Sequence, residues 1–111
     1  MDKEADILKV LGEPNRLRLA ILLAAEGEVC VCRLAEALDA PEYKVSRHLG
    51  VMRAAGLVEA RREGTWMHYK LAEPNCPLQR HLMTFLAGGF NNHPTIKADR
   101  KTLKQVGCGK S

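Results

Sequence analysis

The sequence of 111 residues has no long apolar run. Its longest such stretch, Leu17 to Ala25, contains Arg18 and falls far short of the ~20 residues that a membrane-spanning helix needs. The N-terminal segment MDKEADILK is charged and lacks the apolar core of a signal peptide. We therefore expect a cytoplasmic protein with no membrane segment.

The residue patterns of common enzymes are also missing. The sequence has no pair of carboxylates placed for catalysis, no phosphate-binding loop and no Cys-His arrangement with a third partner. It has no internal repeats and no low-complexity stretch. These absences argue against an enzyme and favour a small binding domain.

Charge is present, but it is unevenly distributed. Residues 1–41 contain five Lys/Arg and eight Asp/Glu (net −3), whereas residues 42–62 contain five and two (net +3). Residues 63–87 are neutral, and residues 88–111 contain five basic residues and one acidic residue (net +4). A basic segment beside an acidic one is expected of a surface that binds a polyanion.

Hydrophobic periodicity predicts several short helices in the first half of the chain. We expect a helix over Asp2–Leu11, a widely apolar helix from Pro14 that ends at Gly27, and a short strand over Val29–Cys32. Two further helices flank the turn Asp39–Pro41. Two short helices joined by a tight turn indicate a helix-turn-helix.

The second of those helices, EYKVSRHLGVMRAAG, is the candidate recognition helix. Val45, Leu49 and Met52 form its buried stripe. Its other face offers side chains that donate to base edges or phosphates, especially in the N-terminal half that enters a major groove. The candidate DNA-binding residues on this face are Tyr43, Lys44, Ser46, Arg47 and His48.

The segments LVEARR and WMHYKL flank Glu63-Gly64-Thr65 and predict a β-hairpin. Arg61 and Arg62 lie near its tip, where they can contact a DNA backbone or minor groove. A last helix is expected from Cys76-Pro77 to about Ala87. The fold class is therefore mainly α with a small β-hairpin wing, a winged helix-turn-helix, over residues 1–87. Residues 88–111 form a basic C-terminal tail that can be helical near 95–106.

Cys30 and Cys32 stand one residue apart between the expected strand and the next helix. In a regular helix, side chains at i and i+2 point ~200° apart, whereas in an extended segment they share a face. The pair can therefore chelate one ion only at a strand end or an irregular helix start. Two buried cysteines in an ordinary strand remain the alternative, because free cysteine is among the most buried residue types.

Three stretches, LGEPNRLRLAILL, EVCVCRLAEAL and YKVSRHLGVMRAAGLVEARREGTWMHYKL, resemble the ArsR/SmtB family of metal-responsive repressors. The resemblance covers roughly residues 5–87. It implies a homodimeric winged-helix protein that binds double-stranded operator DNA and releases it when a metal or metalloid binds. It also implies that residues 1–87 combine DNA binding with dimerisation, through the first helix and the helix from Cys76.

The resemblance further implies that Cys30 and Cys32 are thiolate ligands, as in the Cys-Val-Cys motif of the arsenic and cadmium/lead branches. It points to As(III) or Sb(III) as the inducer, since soft thiolates suit these ions. The third cysteine of the fullest motif is replaced by Ala35. We expect Cys108 to supply the third sulfur, with Cys76 as the alternative.

Other interpretations of the same residues stay open. The cysteines can instead respond to thiol oxidation or persulfide, or bind cadmium or lead. The family's second, zinc-binding site is not expected here, because His81 is preceded two positions earlier by Gln79 and no partner follows on that helix. A winged helix can also act as a protein-interaction module.

Overall fold

The computed structural model describes residues 1–105. Within that range, six α-helices and three β-strands follow one another in the predicted order. Their bounds are α1 Asp2–Leu11, α2 Pro14–Glu26, β1 Val29–Cys30, α3 Val31–Leu38, α4 Glu42–Ala54, β2 Val58–Glu63, β3 Trp66–Leu71, α5 Pro77–Gly88 and α6 Pro94–Gln105. The winged helix-turn-helix predicted from the sequence is confirmed. In the described range, no helix is long and apolar enough to cross a membrane.

Helix α2 lies at the centre of the core. The Glu13 carboxylate caps its start by accepting hydrogen bonds from the backbone N–H groups of Asn15 (2.6 Å) and Arg16 (3.0 Å). Gly27 ends it with φ of +82°, a conformation that favours glycine. The five residues Leu19 to Leu23 are all buried, so α2 packs against neighbours on most of its circumference.

The strand predicted over Val29–Cys32 ends earlier, at Cys30. Helix α3 begins at Val31, because Val31, Leu34, Ala35 and Leu38 recur at helical spacing and are all buried. That spacing prevails over the apolar alternation at residues 29–32. Cys30 is thus an end of a strand, and Cys32 belongs to a helix.

Helix α4 is positioned by its buried stripe and by the turn before it. Asp39 takes the left-handed conformation (φ 53°) at the end of α3, and its N–H bonds the Glu36 carbonyl at 3.1 Å. Val45, Leu49 and Met52 of α4 are completely buried against α2 and α3. The predicted apolar stripe is confirmed, and the opposite face of α4 is turned outward.

The wing is larger than a hairpin. Strands β2 and β3 pair antiparallel through the Gly64–Thr65 turn, and β1 pairs with the other edge of β3, giving the strand order β1-β3-β2. In this register Cys30 is opposite His68, and His68 is opposite Arg61. The strand that carries Cys30 is therefore part of the wing sheet.

Helix α6, Pro94–Gln105, lies in the segment expected from the sequence to be a basic tail with a helix near 95–106. It packs on α2 and α3 and buries Ile96 and Leu103. The Asp99 carboxylate accepts hydrogen bonds from Arg18 Nε (2.9 Å) and Nη2 (2.8 Å). These contacts make α6 part of the main core.

Candidate DNA-binding surface and cysteine site

The exposed face of α4 presents the side chains expected to meet DNA. Tyr43, Lys44, Ser46 and Arg47 are all exposed. The Arg47 guanidinium lies 5.9 Å from the centroid of the Tyr43 ring, within range of a cation–π contact. Such a contact restricts the Arg47 side chain while leaving its N–H groups directed outward for bases or phosphates.

His48 differs from its neighbours because it is half-buried and contacts α2. Its Nδ1 lies 3.4 Å from Arg16 Nη1, and Arg16 Nε donates to the Val10 carbonyl at 2.7 Å. A guanidinium can only donate, so His48 can meet Arg16 here only as an acceptor through Nδ1. Sequence reasoning missed Arg16, since only the fold brings the start of α2 beside α4.

The two wing arginines are in different environments. Arg61 donates to Glu28 through Nη2–Oε1 (2.6 Å) and Nε–Oε2 (3.2 Å). The hydrogen bonds from Arg61 hold the pKa of Glu28 below its ordinary value, so the pair is ionic at neutral pH. Arg62 is exposed and forms no ion pair with any described residue. Of the two arginines predicted to contact DNA, Arg61 is held by Glu28, whereas Arg62 has no ion-pair partner among the described residues and can bind DNA.

The cysteine pair sits where the chain changes from strand to helix. Cys30 has extended backbone angles (φ −69°, ψ 142°) and is the N-cap residue of α3, while Cys32 is the second residue of that helix. The two Sγ atoms are 3.2 Å apart. Cys30 is a free thiol, whereas Cys32 is engaged with a partner in the structure. The strand end that chelation by an i, i+2 pair can use is therefore present at Cys30.

The distance between the two sulfurs suits a shared ligand. Two thiolates that each lie ~2.3 Å from one ion are at most ~4.6 Å from each other, and 3.2 Å falls within that limit. The pair is buried, but it forms a small cluster with Trp66, separate from the main hydrophobic core. Because the two cysteines lie in this separate cluster, they do not fill space in the main hydrophobic core.

The described part of the chain does not complete the ligand set. Among residues 1–105, no three His, Cys, Asp or Glu side chains are grouped so that they could hold a metal ion. Cys76 is the N-cap residue of α5 and packs against the main core, apart from the Cys30 cluster. Cys108 lies outside the described residues. Arg33, next to Cys32, donates to the Leu103 carbonyl at 2.9 Å, so the last turn of α6 lies beside the start of α3.

Gln79 of α5 is a buried polar residue with a partner in the main chain. Its side chain is buried and its Nε2 donates to the Gly56 carbonyl at 3.1 Å, which ties α5 to the end of the helix-turn-helix. His81 is exposed on the same helix. Gln79 is thus a packing residue that satisfies a backbone carbonyl, and His81 has no ligand partner two positions before it.

A basic recognition helix held against α2 and α3, with a three-stranded wing at its side, defines a DNA-binding winged helix-turn-helix protein. Residues 13–60 match the model of the family described as "Bacterial regulatory protein, arsR family". The chain belongs to the ArsR family of transcriptional regulators. Family membership also confirms the expectation that the protein is not an enzyme.

The chain is similar to named regulators in sequence. It is 44% identical over 71 residues to the arsenical resistance operon repressor of Escherichia coli, a match that spans 64% of this chain and 60% of that protein. It is 44% identical over 71 residues to the arsenic resistance transcriptional regulator ArsR1 of Pseudomonas putida, spanning 64% of this chain and 55% of the relative. The matched segment thus covers little more than half of these repressors.

Solved structures extend the similarity over more of the chain. The crystal structure of a possible transcriptional regulator for arsenical resistance matches with a TM-score of 0.60 and 32% identity, covering 92% of this chain and 98% of that one. The homodimeric winged helix-turn-helix domain of a possible ArsR-family regulator from Mycobacterium bovis matches with a TM-score of 0.67 and 34% identity. That match covers 83% of this chain and 82% of the other.

Proposed function

We propose that this protein is a metalloid-responsive transcriptional repressor in the cytoplasm. It binds operator DNA as a homodimer and leaves it when As(III) or Sb(III) binds cysteine thiolates. The observation that carries the proposal is the 3.2 Å separation of the Cys30 and Cys32 sulfurs at the junction of β1 and α3. The arsenical resistance repressors to which the chain is similar favour these ions over other soft metals.

The third sulfur is assigned to Cys108. Leu103 lies beside Arg33, the neighbour of Cys32, and Cys108 follows Leu103 by five residues. Five residues span up to ~17 Å when extended, so the chain is long enough for Cys108 to reach the pair. Cys76 packs in a different cluster of the same subunit and remains the alternative donor, from the second subunit of a dimer.

A dimer through α1 and α5 is supported by the apolar surface that these helices leave exposed. Leu8 of α1 is 52% exposed and Phe85 of α5 is 55% exposed. Leu82 and Met83 of α5 are only half-buried, and α5 contacts α1. Contiguous apolar side chains at a surface indicate an association site. A similar domain from Mycobacterium bovis is described as homodimeric.

Release follows from the location of the cysteines. Cys30 belongs to β1, which pairs with wing strand β3, and Cys32 belongs to α3, on which recognition helix α4 packs. Because the two sulfurs already lie 3.2 Å apart, the change in the relative position of β1 and α3 comes from drawing the third sulfur onto the ion. Two recognition helices must match the spacing of two half-sites, so a small shift in each subunit lowers affinity for a palindromic operator.

The test uses a duplex selected from random DNA by the reduced wild-type protein, with fluorescence anisotropy as the readout. Arsenite should release wild-type protein and should fail to release Cys30→Ser, Cys32→Ser and Cys108→Ser, while all three bind DNA normally without it. Cys76→Ser is the matched control and should respond like the wild type. Loss of response in Cys76→Ser instead of Cys108→Ser would reassign the third ligand.

Two further arms separate the alternatives. Peroxide or a persulfide donor replaces arsenite in one, and cadmium or lead in the other. Release by these agents but not by arsenite or antimonite under reducing conditions would contradict metalloid sensing. DNA binding whose affinity does not change with salt would contradict a phosphate-contacting surface altogether.

A further inference from the structure

One contact in the wing is not accounted for by DNA binding or by the cysteine site. Glu28, which immediately precedes β1, holds Arg61 of β2 through two hydrogen bonds of 2.6 and 3.2 Å. These segments are not neighbours in the sheet, because β3 lies between them. The ion pair therefore bridges the middle strand of the wing.

The electrostatics around Arg61 are unusual for a residue at a DNA-facing wing. A second carboxylate, that of Glu63, lies 3.9 Å from the same Nη2 and 3.3 Å from Nε2 of His68. Arg61 is thus flanked by two acidic groups, whereas the adjacent Arg62 has no ion pair among the described residues. Both side chains of the pair are exposed to solvent (52% for Arg61 and 33% for Glu28), where water screens their attraction and another anion can compete for the guanidinium.

We propose that Glu28 is an intramolecular competitor of operator phosphate for the Arg61 guanidinium. While Glu28 holds Arg61, the wing contributes one phosphate contact fewer to the complex. Arg61 is an arginine near the tip of the wing, the position from which this element reaches a DNA backbone. The contact is a built-in limit on operator affinity.

The position of Glu28 ties this competition to the cysteines. Glu28 lies two residues before Cys30, and its carboxylate contacts Arg61 on the face of the wing sheet where Arg61 is opposite His68. Cys30, His68 and Arg61 are successive cross-strand partners on that face. A shift of β1 caused by a ligand at Cys30 therefore moves the Glu28 carboxylate relative to Arg61. This coupling, unlike the competition itself, rests on the proposed function.

The experiment compares Glu28→Gln with Glu59→Gln, by operator binding over a series of salt concentrations without arsenite. Glu59 lies on β2 on the same face as Arg61 and is 3.9 Å from Lys70, so its substitution makes the same charge change without freeing Arg61. Both subunits of the dimer carry the substitution, so Glu28→Gln should steepen the logarithmic salt slope by about 1.8, the value for two phosphates. Its advantage over wild type should therefore grow about twelvefold for each fourfold reduction in salt. Thermal unfolding of each variant verifies that it is folded.

Arg61→Ala completes the cycle. In that background Glu28→Gln should change neither the affinity nor the salt slope, because the competed group is gone. Equal effects of Glu28→Gln and Glu59→Gln on the slope, or an undiminished effect of Glu28→Gln in Arg61→Ala, would overturn the competition.

The coupling is tested with arsenite. Arsenite weakens operator binding by some factor in the wild type, and this factor should be smaller in Glu28→Gln. An unchanged factor would overturn the coupling. If wild-type protein itself does not respond to arsenite, the proposed function fails, and the salt-slope result still decides the competition.

Discussion

Replacing Asp99 by Asn should lower the free energy of unfolding by about 2–3 kcal/mol. Asp99 is 3% exposed and binds both Nε and Nη2 of Arg18. Breaking a fully buried pair by changing one partner costs ~3–5 kcal/mol, but the Arg18 side chain is 26% exposed, so solvent compensates part of the loss. For a domain of this size, the change corresponds to a decrease in Tm of about 10 °C.

The assay is thermal unfolding followed by circular dichroism, with Glu26→Gln as the matched control. Glu26 also anchors α6, but through one hydrogen bond of 3.1 Å to Arg100, and both side chains are partly exposed. Its loss should cost about 0.5 kcal/mol or less. If Asp99→Asn lowers Tm no more than Glu26→Gln does, the buried pair is not what holds α6 in place.

The same substitution has a functional consequence under the proposed assignment of Cys108. Because α6 carries the chain towards the start of α3, weaker docking of α6 lowers the effective concentration of the third thiol. Asp99→Asn should therefore need more arsenite for release and should bind the operator normally without arsenite. An unchanged arsenite response, together with the expected loss of stability, would contradict a ligand supplied by the C-terminal segment.

Three further predictions concern DNA binding and α5. Arg47→Ala should weaken operator binding by ~1–3 kcal/mol if Arg47 contacts a guanine, and unchanged affinity would remove it from the interface. Arg62→Ala, which removes this arginine from both subunits, should reduce the salt slope of operator binding by about 1.8, since Arg62 has no ion-pair partner among the described residues; an unaltered slope would show that it does not bind a phosphate. Gln79→Leu should cost ~1–3 kcal/mol in chemical denaturation, because the Gly56 carbonyl loses its donor, and a neutral result would mean that water replaces the amide.

Local patterns were sufficient for most of the fold. The start of α2 at Pro14, its end at Gly27 and the buried stripe of α4 follow from short-range rules that this chain obeys. The hairpin followed from alternation around Gly64. The predicted strand end at Cys32 was wrong because residues 29–32 fit a strand and the first turn of a helix equally well, and only packing against the core decides between them.

The contacts that hold the sites together join residues far apart in the sequence, and no sequence pattern predicts them. Arg18 and Asp99 are 81 positions apart, and Glu28 and Arg61 are 33 positions apart. Charge counting located the basic segment but could not show that Arg61 is held by a carboxylate. Spacing alone showed that Cys30 and Cys32 need an irregular helix start, whereas the 3.2 Å distance between their sulfurs required the fold.

We propose that a metalloid bound at the cysteine pair causes release of DNA. Fluorescence of Trp66 can report binding at that pair directly. It is the single tryptophan of the chain, and it packs against Cys30 and Cys32. Arsenite added to the reduced protein should change Trp66 fluorescence saturably, over the same concentrations that release a labelled operator, and neither change should occur in Cys30→Ser. Operator release that persists in Cys30→Ser, or a fluorescence change without release, would contradict the account.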